Sequence, residues 1–250
     1  MEEEEIQKYS NLRSSQVIGM EQPKGYTPLD RMRRYIESLP PEISFKEELT
    51  NIKFWKSVRV EFLGSILYIV FGCGACMNFS SLPPVDQNSS IDFVEIKISL
   101  VFATLTALLM YLGCGSLTDY KGCHLNPSIS FALFLVREIT LLKFFTNFLV
   151  QFVASFLGSC ILYGLTSFAS SSSKPGLGVT IPMKQLSPSN IFGFEFFGTF
   201  LIVLTYLSVN DTRQQIETQI SAFKHIYVGF AVLVSHLFAV SSNVSFLNAV

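Results

Sequence analysis

The chain has 250 residues and a mean hydropathy of +0.41, and only 15% of its residues are charged. Soluble domains carry about a quarter charged residues, so this composition argues against an ordinary soluble protein. The formal net charge of −1 provides no strong field to attract nucleic acid, and we expect no nucleic-acid partner.

Charge is concentrated in the first part of the chain, which opens with four glutamates, Glu2–Glu5. This opening lacks the apolar core and cleavage site of a signal peptide. We therefore predict a cytosolic N-terminal tail over residues 1–53, partly disordered, followed by a membrane domain over residues 54–250. The segment from Pro40 to Lys56 has the composition of a short amphipathic helix that leads into the membrane.

Five long apolar runs follow, and each is long enough to cross a bilayer as an α-helix. About 20 helical residues span the hydrocarbon core, and these runs mostly lack the polar stripe of a soluble helix. The sequence therefore predicts an all-α transmembrane bundle. The runs are Val58–Phe79, Ile96–Ser116, Phe144–Phe168, Ile191–Val209 and Phe223–Val240.

Lysine and arginine near the ends of these runs indicate their orientation. Lys53 and Lys56 precede the first run, whereas the loop after it, residues 80–93, contains neither residue type. Positive charge accumulates on the cytosolic side, so we predict a multi-pass protein of the cell membrane with a cytosolic N-terminus. Two glycosylation sequons, at Asn78 and Asn88, fall at or within the loop that this topology places outside.

An internal repeat relates the first and fourth runs. The first opens with EFLGS at Glu61, and the fourth opens with EFFGT at Glu195. An acid inside the membrane is costly and needs a partner within the bundle. Each acid is followed by a short Asn motif: HLNPS begins at His124, and FLNAV ends at Val250. Repeats of three spans are inverted relative to each other, which is a common arrangement in channels and transporters.

The segment that begins at Asn126 predicts a helix too short to span the membrane. Asn is a favoured N-cap and Pro, here Pro127, a favoured first helical residue. The apolar stretch after them, Ser128–Val136, has only about nine residues, as in a re-entrant half-helix. The positive end of its dipole at mid-membrane would repel cations and orient a polar neutral solute by its oxygen.

These motifs resemble the aquaporin (major intrinsic protein) family, from about Phe54 to the end of the chain. The residues that carry the resemblance are the two Glu-Phe-x-Gly openings, GCHLNPS, Gln151 in the third run, and HLFAV in the fifth. The resemblance implies an aquaporin-like inverted repeat in which two re-entrant half-helices meet in a pore. It also implies a homotetramer in the lipid bilayer that passes water, with no cofactor and no catalytic residue.

The resemblance assigns both Asn motifs to the pore. The motifs are Asn126-Pro127-Ser128 and Asn248-Ala249-Val250, and each Asn would donate its side-chain N–H to the passing water. Glu61 and Glu195 would brace the re-entrant loops through hydrogen bonds, and His124 matches the loop histidine before Asn-Pro.

A narrow filter is implied as well. His236 lies 12 residues before Asn248, which is the family spacing for a filter residue, and Ser245 occupies the loop position of the filter. A histidine at this place is typical of water-selective members. The filter residue of the second run is Phe102 in the alignment that we prefer and Thr106 in an ungapped one.

The sequence stops at Val250, before the filter arginine, the second half-helix and the last span of the family. We therefore expect a truncated water channel with five full spans present and the sixth missing. One alternative is a non-conducting subunit that modulates intact aquaporins; another is a channel for small neutral solutes such as glycerol, which His236 and Phe102 oppose. An enzyme is not expected, because no arrangement such as HExxH is present.

Cys123, three residues before Asn126, is predicted to face the cytosolic vestibule, where a mercurial that reacts with its thiol would block water flow.

Overall fold

The structure is a computed structural model, and it describes residues 44–76, 91–113, 123–166, 187–210 and 218–240, together with Thr27, Leu29, Leu177 and Gly178. Within these residues the regular elements are helices, which confirms the all-α prediction. In chain order they are α1 (Phe45–Thr50), α2 (Ile52–Ala75), α3 (Ile91–Tyr111), α4 (Pro127–Leu135), α5 (Leu141–Thr166), α6 (Pro188–Asn210) and α7 (Thr218–Val240).

The first span is preceded by a short helix, α1, at the junction that the sequence predicts to be helical. Asn51 separates the two helices and caps α2, because its Oδ1 accepts a hydrogen bond from the Lys53 N–H at 2.8 Å. Trp55 Nε1 donates to the Leu49 carbonyl oxygen at 2.8 Å. These two contacts fix the angle at which the chain enters α2.

The helices have the length and polarity of membrane spans. Three of those described, α2, α5 and α6, are long and apolar enough to cross a bilayer, and α3 and α7 contain the apolar stretches Ile96–Tyr111 and Phe223–Ala239. Large apolar side chains cover the outer face of α5: Phe145, Phe148, Leu149, Phe152 and Phe156 are all exposed. Polar side chains are instead buried inside the bundle, the reverse of a soluble protein, so the chain is a membrane protein.

The packing of the helices reflects the internal repeat. Helix α2 packs on α3 in the first half as α6 packs on α7 in the second, and α3 packs on α7 to join the halves. Glycine allows this central pair to approach closely: a Cβ on Gly229 would lie 2.7 Å from the Ala103 carbonyl oxygen. At Gly158, where α5 crosses α2, a Cβ would lie 3.1 Å from the Ile66 carbonyl oxygen.

The predicted half-helix is present as α4, which has nine residues. At 1.5 Å per residue it rises about 14 Å, less than half of the roughly 30 Å hydrocarbon core. It packs between α5 and α6, with Ile129 and Leu133 buried. The predicted second half-helix motif lies outside the described residues.

A buried polar cluster joins α1, α2 and α5 at one end of the bundle. Lys143 Nζ donates to Ser57 Oγ at 2.6 Å and lies 5.3 Å from the centroid of the Phe54 ring. Thr140 Oγ1 donates to Glu48 Oε1 at 2.6 Å and accepts from the Lys143 N–H at 3.0 Å. Lys143, which directly precedes the predicted run Phe144–Phe168, therefore belongs to the packed bundle.

Candidate functional site

The site is built around the start of the half-helix. Asn126 has an extended backbone, and its Oδ1 accepts from the Ser128 N–H at 2.8 Å, with Pro127 as the first helical residue. This is the N-cap geometry for which Asn and Pro are favoured. Because Oδ1 is used by the cap, the amide NH₂ of Asn126 is the group left to donate into the space beyond the helix end.

A buried carboxylate holds the chain directly before this cap. Glu61 is fully buried; its Oε2 accepts from the His124 N–H at 2.7 Å, and its Oε1 accepts from the Leu125 N–H at 2.7 Å. Gln151 Nε2 also donates to Oε1 at 2.7 Å. Leu125 has a φ of 58°, which is unusual for a residue with a branched side chain. Glu61 therefore fixes both peptide N–H groups at the turn where the backbone is strained.

The His124 ring is held by a second set of buried hydrogen bonds. Its Nδ1 lies 2.9 Å from Ser130 Oγ and 3.0 Å from Asn147 Nδ2. Gln151 Nε2 lies 3.3 Å from the same Ser130 oxygen. The ring also makes an edge contact with Tyr206, at 6.2 Å between centroids. This network connects the loop, the half-helix and α5.

A narrow cavity lies at the start of the half-helix. It offers about 10 Å³ to the centre of a water-sized sphere, which is at the lower limit for holding one water molecule. Asn126 and His124 stand in its wall, and the side chains opposite them are mostly apolar. The other lining residues are Tyr68, Thr106, Met110, Leu125, Ile129, Ile202, Val232 and His236.

Two residues expected in a filter lie against each other. The rings of Phe102 and His236 are stacked, with centroids 4.8 Å apart and an interplanar angle of 11°. Phe102 also contacts Tyr68 edge-on at 5.4 Å, and Thr106, one turn further along α3, lines the cavity. Both nitrogens of His236 are buried, and neither has a hydrogen-bond partner among the described residues. Both candidates therefore lie at the site: Phe102 packs against the His236 ring, and Thr106 lines the cavity.

The second half of the expected site falls largely outside the described residues. Glu195 is half-buried in α6, and its carboxylate makes no hydrogen bond within the part of the chain that the structure describes. The residues predicted to meet it or to complete the filter lie outside that part. They are Ser245, Asn248, Ala249 and Val250.

Comparison with known proteins places the chain in a family. The family model described as Major intrinsic protein matches residues 48–249. The chain belongs to the aquaporin, or major intrinsic protein, family. Membership of this family and the apolar helical bundle together support the conclusion that the protein is a membrane channel.

The relatives and a solved structure agree with this assignment. Aquaporin-1 of Bos taurus is 29% identical over 198 residues, which cover 78% of this chain and 67% of that protein. Aquaporin-6 of Milnesium tardigradum is 33% identical over 175 residues, 68% of this chain and 52% of that protein. The X-ray structure of the aquaglyceroporin from Plasmodium falciparum has the same fold, with a TM-score of 0.59, 24% identity, and coverage of 73% of this chain and 72% of that one.

The expectation that Cys123 faces the vestibule is wrong. Cys123 is 1% exposed, and its Sγ lies 3.8 Å from the Val60 carbonyl oxygen of α2. Its side chain packs where Gly64 and Gly113 leave room, since a Cβ on either glycine would come within 2.7 Å of it. The thiol therefore faces the contact between α2 and α3, and it is not part of the cavity wall.

The sequence analysis did not assign several residues that lie at the site, among them Tyr68, Ser130 and Asn147. A weak signal for Asn147 exists, because it stands four residues before Gln151 in an otherwise apolar run, so both side chains share one face of α5. Ser130 carries a similar signal, because it stands four residues after Asn126 and so lies on the same side of the half-helix. Tyr68 carries no local signal, since an aromatic residue in an apolar helix usually faces lipid or core.

Proposed function

We propose that this protein is a passive water channel of the cell membrane. The observation that carries the proposal is the capped half-helix, whose Asn126 lines a cavity with room for about one water molecule. The Asn126 amide would donate to a water oxygen, and the positive end of the α4 dipole would favour that orientation while repelling cations. Glu61 would act as the brace of this loop, with His124 beside it.

The proposed filter consists of Phe102 and His236 among the described residues, with Ser245 as its loop member. The stacked pair supports this role, because a ring packed at 4.8 Å from the histidine leaves His236 little freedom to move out of the cavity wall. A cavity with room for about one water molecule supports water over a larger solute such as a three-carbon polyol. Water is therefore favoured over glycerol as the permeant.

The rest of the proposed machinery follows from the repeat. Asn248, with Ala249 and Val250, would form the second pore motif, and Glu195 would brace it as Glu61 braces the first. We further propose a cytosolic N-terminal tail over residues 1–53, a channel domain over residues 54–250, and a homotetramer in the bilayer.

Osmotic shock of vesicles that contain the full chain tests the permeant. We expect vesicles with the protein to shrink several times faster than bare lipid in an impermeant osmolyte, measured by stopped-flow light scattering. In a glycerol gradient they should re-swell no faster than bare lipid. Shrinkage at the rate of bare lipid contradicts the water channel, and fast glycerol entry favours a polyol channel instead.

Replacing His236 by Gly tests the filter. Removing the ring opens the wall opposite Phe102, so glycerol entry should rise clearly above that of the unsubstituted protein. His225→Gly is the matched control: it changes a buried histidine of the same helix, one that packs against Tyr111 and does not line the cavity, so glycerol entry should stay low. Unchanged glycerol exclusion in His236→Gly would show that His236 is not in the filter.

A further inference from the structure

One face of helix α2 forms a seat for the ring of Phe102. Tyr68 and Gly72 share this face because they stand four residues apart, and Tyr68 contacts the ring edge-on at 5.4 Å between centroids. A Cβ added at Gly72 would lie 2.4, 2.9 and 3.1 Å from the ring atoms Cε1, Cζ and Cδ1, which are its three nearest neighbours. The Phe102 ring therefore occupies the space that a side chain at position 72 would need.

Gly72 differs in this respect from the glycine at the central helix crossing. At Gly229 an added Cβ would meet the Ala103 carbonyl oxygen, so that glycine determines how closely two helix backbones approach. At Gly72 the added Cβ would instead meet the far end of a side chain. A substitution at Gly72 therefore acts first on the position of a ring, and only through it on the separation of the helices.

The same ring reaches the wall of the cavity through His236. Phe102 is only 1% exposed, and it stacks on the imidazole of His236 with centroids 4.8 Å apart. His236 in turn lines the cavity. Since protein interiors are close-packed, a displacement of the Phe102 ring is passed on to the imidazole. The α2 backbone at Gly72 is thereby connected to the narrow part of the cavity.

We infer that Gly72 is a positioning residue for solute selection: the space left by its missing side chain seats Phe102, and this seat determines how far His236 extends into the cavity. Gly72 itself is not one of the residues that line this cavity, so it acts through the two rings. Its effect on permeation rests on the proposed water channel, whereas the seating of the ring does not.

Gly72→Ala tests this role. The new methyl group takes the place of the ring edge, so Phe102 should be pushed away from α2 and toward His236, and the cavity should narrow. We expect the water permeability of vesicles that contain the full chain to fall about fivefold, which corresponds to about 1 kcal/mol on the barrier. Gly74→Ala is the matched control in the same helix: its Cβ would lie 3.6 Å from Leu162, an ordinary contact, so permeability should not change.

A second substitution shows whether the effect passes through the ring. Phe102→Leu removes the outer ring atoms that the new methyl group would meet. In that background Gly72→Ala should change water permeability little, and any loss of Tm caused by Gly72→Ala alone should be recovered. Such non-additivity is expected of residues in contact. A fivefold fall that is the same with Phe or Leu at position 102 would overturn the inference.

NMR of the histidine rings reports the position of Phe102 without any measurement of transport. An aromatic ring shifts the signals of protons stacked on its face, and the chain contains only three histidines, so those of His236 can be assigned by their loss in His236→Gln. Gly72→Ala should move these signals, whereas Gly74→Ala should not. Unmoved signals contradict the seat. If they move as expected but the unsubstituted protein passes no water, the water channel fails and the seating of Phe102 stands.

Discussion

At the scale of single residues, the site depends on one buried acid that satisfies several donors at once. Glu61 accepts two consecutive backbone N–H groups and the Gln151 amide. In a bilayer no water is available to replace these bonds, and each unsatisfied polar group is costly. The strained backbone at Leu125 is held because both adjacent peptide groups are bound to the same carboxylate.

Glu61→Gln should therefore destabilise the protein and slow water flow. The amide keeps the size of the side chain but turns an NH₂ group toward a backbone N–H or toward Gln151, so at least one buried donor loses its acceptor. We expect a loss of about 1–3 kcal/mol, measured as a lower Tm in detergent, together with slower vesicle shrinkage. Glu47→Gln is the control, since Glu47 is exposed on α1; equal Tm values for the two variants would argue against the brace.

At the scale of helices, the bundle depends on close approach at a few crossings. Helices in lipid gain little from burying apolar surface, so they associate through tight contact between small residues. Gly229 of α7 faces the backbone of α3 at Ala103 and the methyl group of Ala107. This crossing joins the two halves of the repeat, and it positions His236 of α7 against Phe102 of α3.

Gly229→Ala should weaken this crossing, because the new methyl group would lie 2.7 Å from a carbonyl oxygen. Overpacking of this kind costs about 1–3 kcal/mol, and the filter pair should be displaced as the helices separate. The matched control is Gly193→Ala in α6, where a Cβ meets no atom within 4 Å and helix propensity favours Ala by up to about 1 kcal/mol. Thermal unfolding in detergent distinguishes the two; a Tm for Gly229→Ala at or above that of the wild type would contradict this account.

At the scale of the whole molecule, the inverted repeat places the starts of its two halves on opposite faces of the membrane. With the N-terminus in the cytosol, α1 lies inside and the start of α6 lies outside, because three crossings separate them. The basic residues Lys53 and Lys56, in the first turns of α2, support this orientation.

A pair of engineered thiols tests this topology. Ser187 and Lys46 are both exposed and lie at opposite ends of the bundle. A membrane-impermeant maleimide should label Ser187→Cys on intact cells, whereas Lys46→Cys should react only after the cells are permeabilised. The wild type gives the background from the native cysteines. Labelling of Lys46→Cys on intact cells would reverse the proposed orientation.

Much of the architecture could be predicted from the sequence because it depends on local properties. Apolar length determines which segments span the membrane, and the Asn126-Pro127 cap followed by nine residues determines a half-helix. The duplicated opening at Glu61 and Glu195 indicates a repeat, and an acid placed inside the membrane must find donors there. None of these conclusions requires knowing how any helix is rotated about its axis.

Only the tertiary structure decided which side chains meet. In a run that is apolar on every side, no polar stripe reveals which face points inward, so the sequence could not show whether Phe102 or Thr106 packs against His236. Cys123 lies outside these runs, and its burial depends on how its loop packs against α2. The stack of Phe102 on His236 and the hydrogen bonds between His124 and the side chains of Ser130 and Asn147 depend on helix rotation and on crossings set by small residues. Those contacts join segments that are distant in the chain, and packing alone selects them.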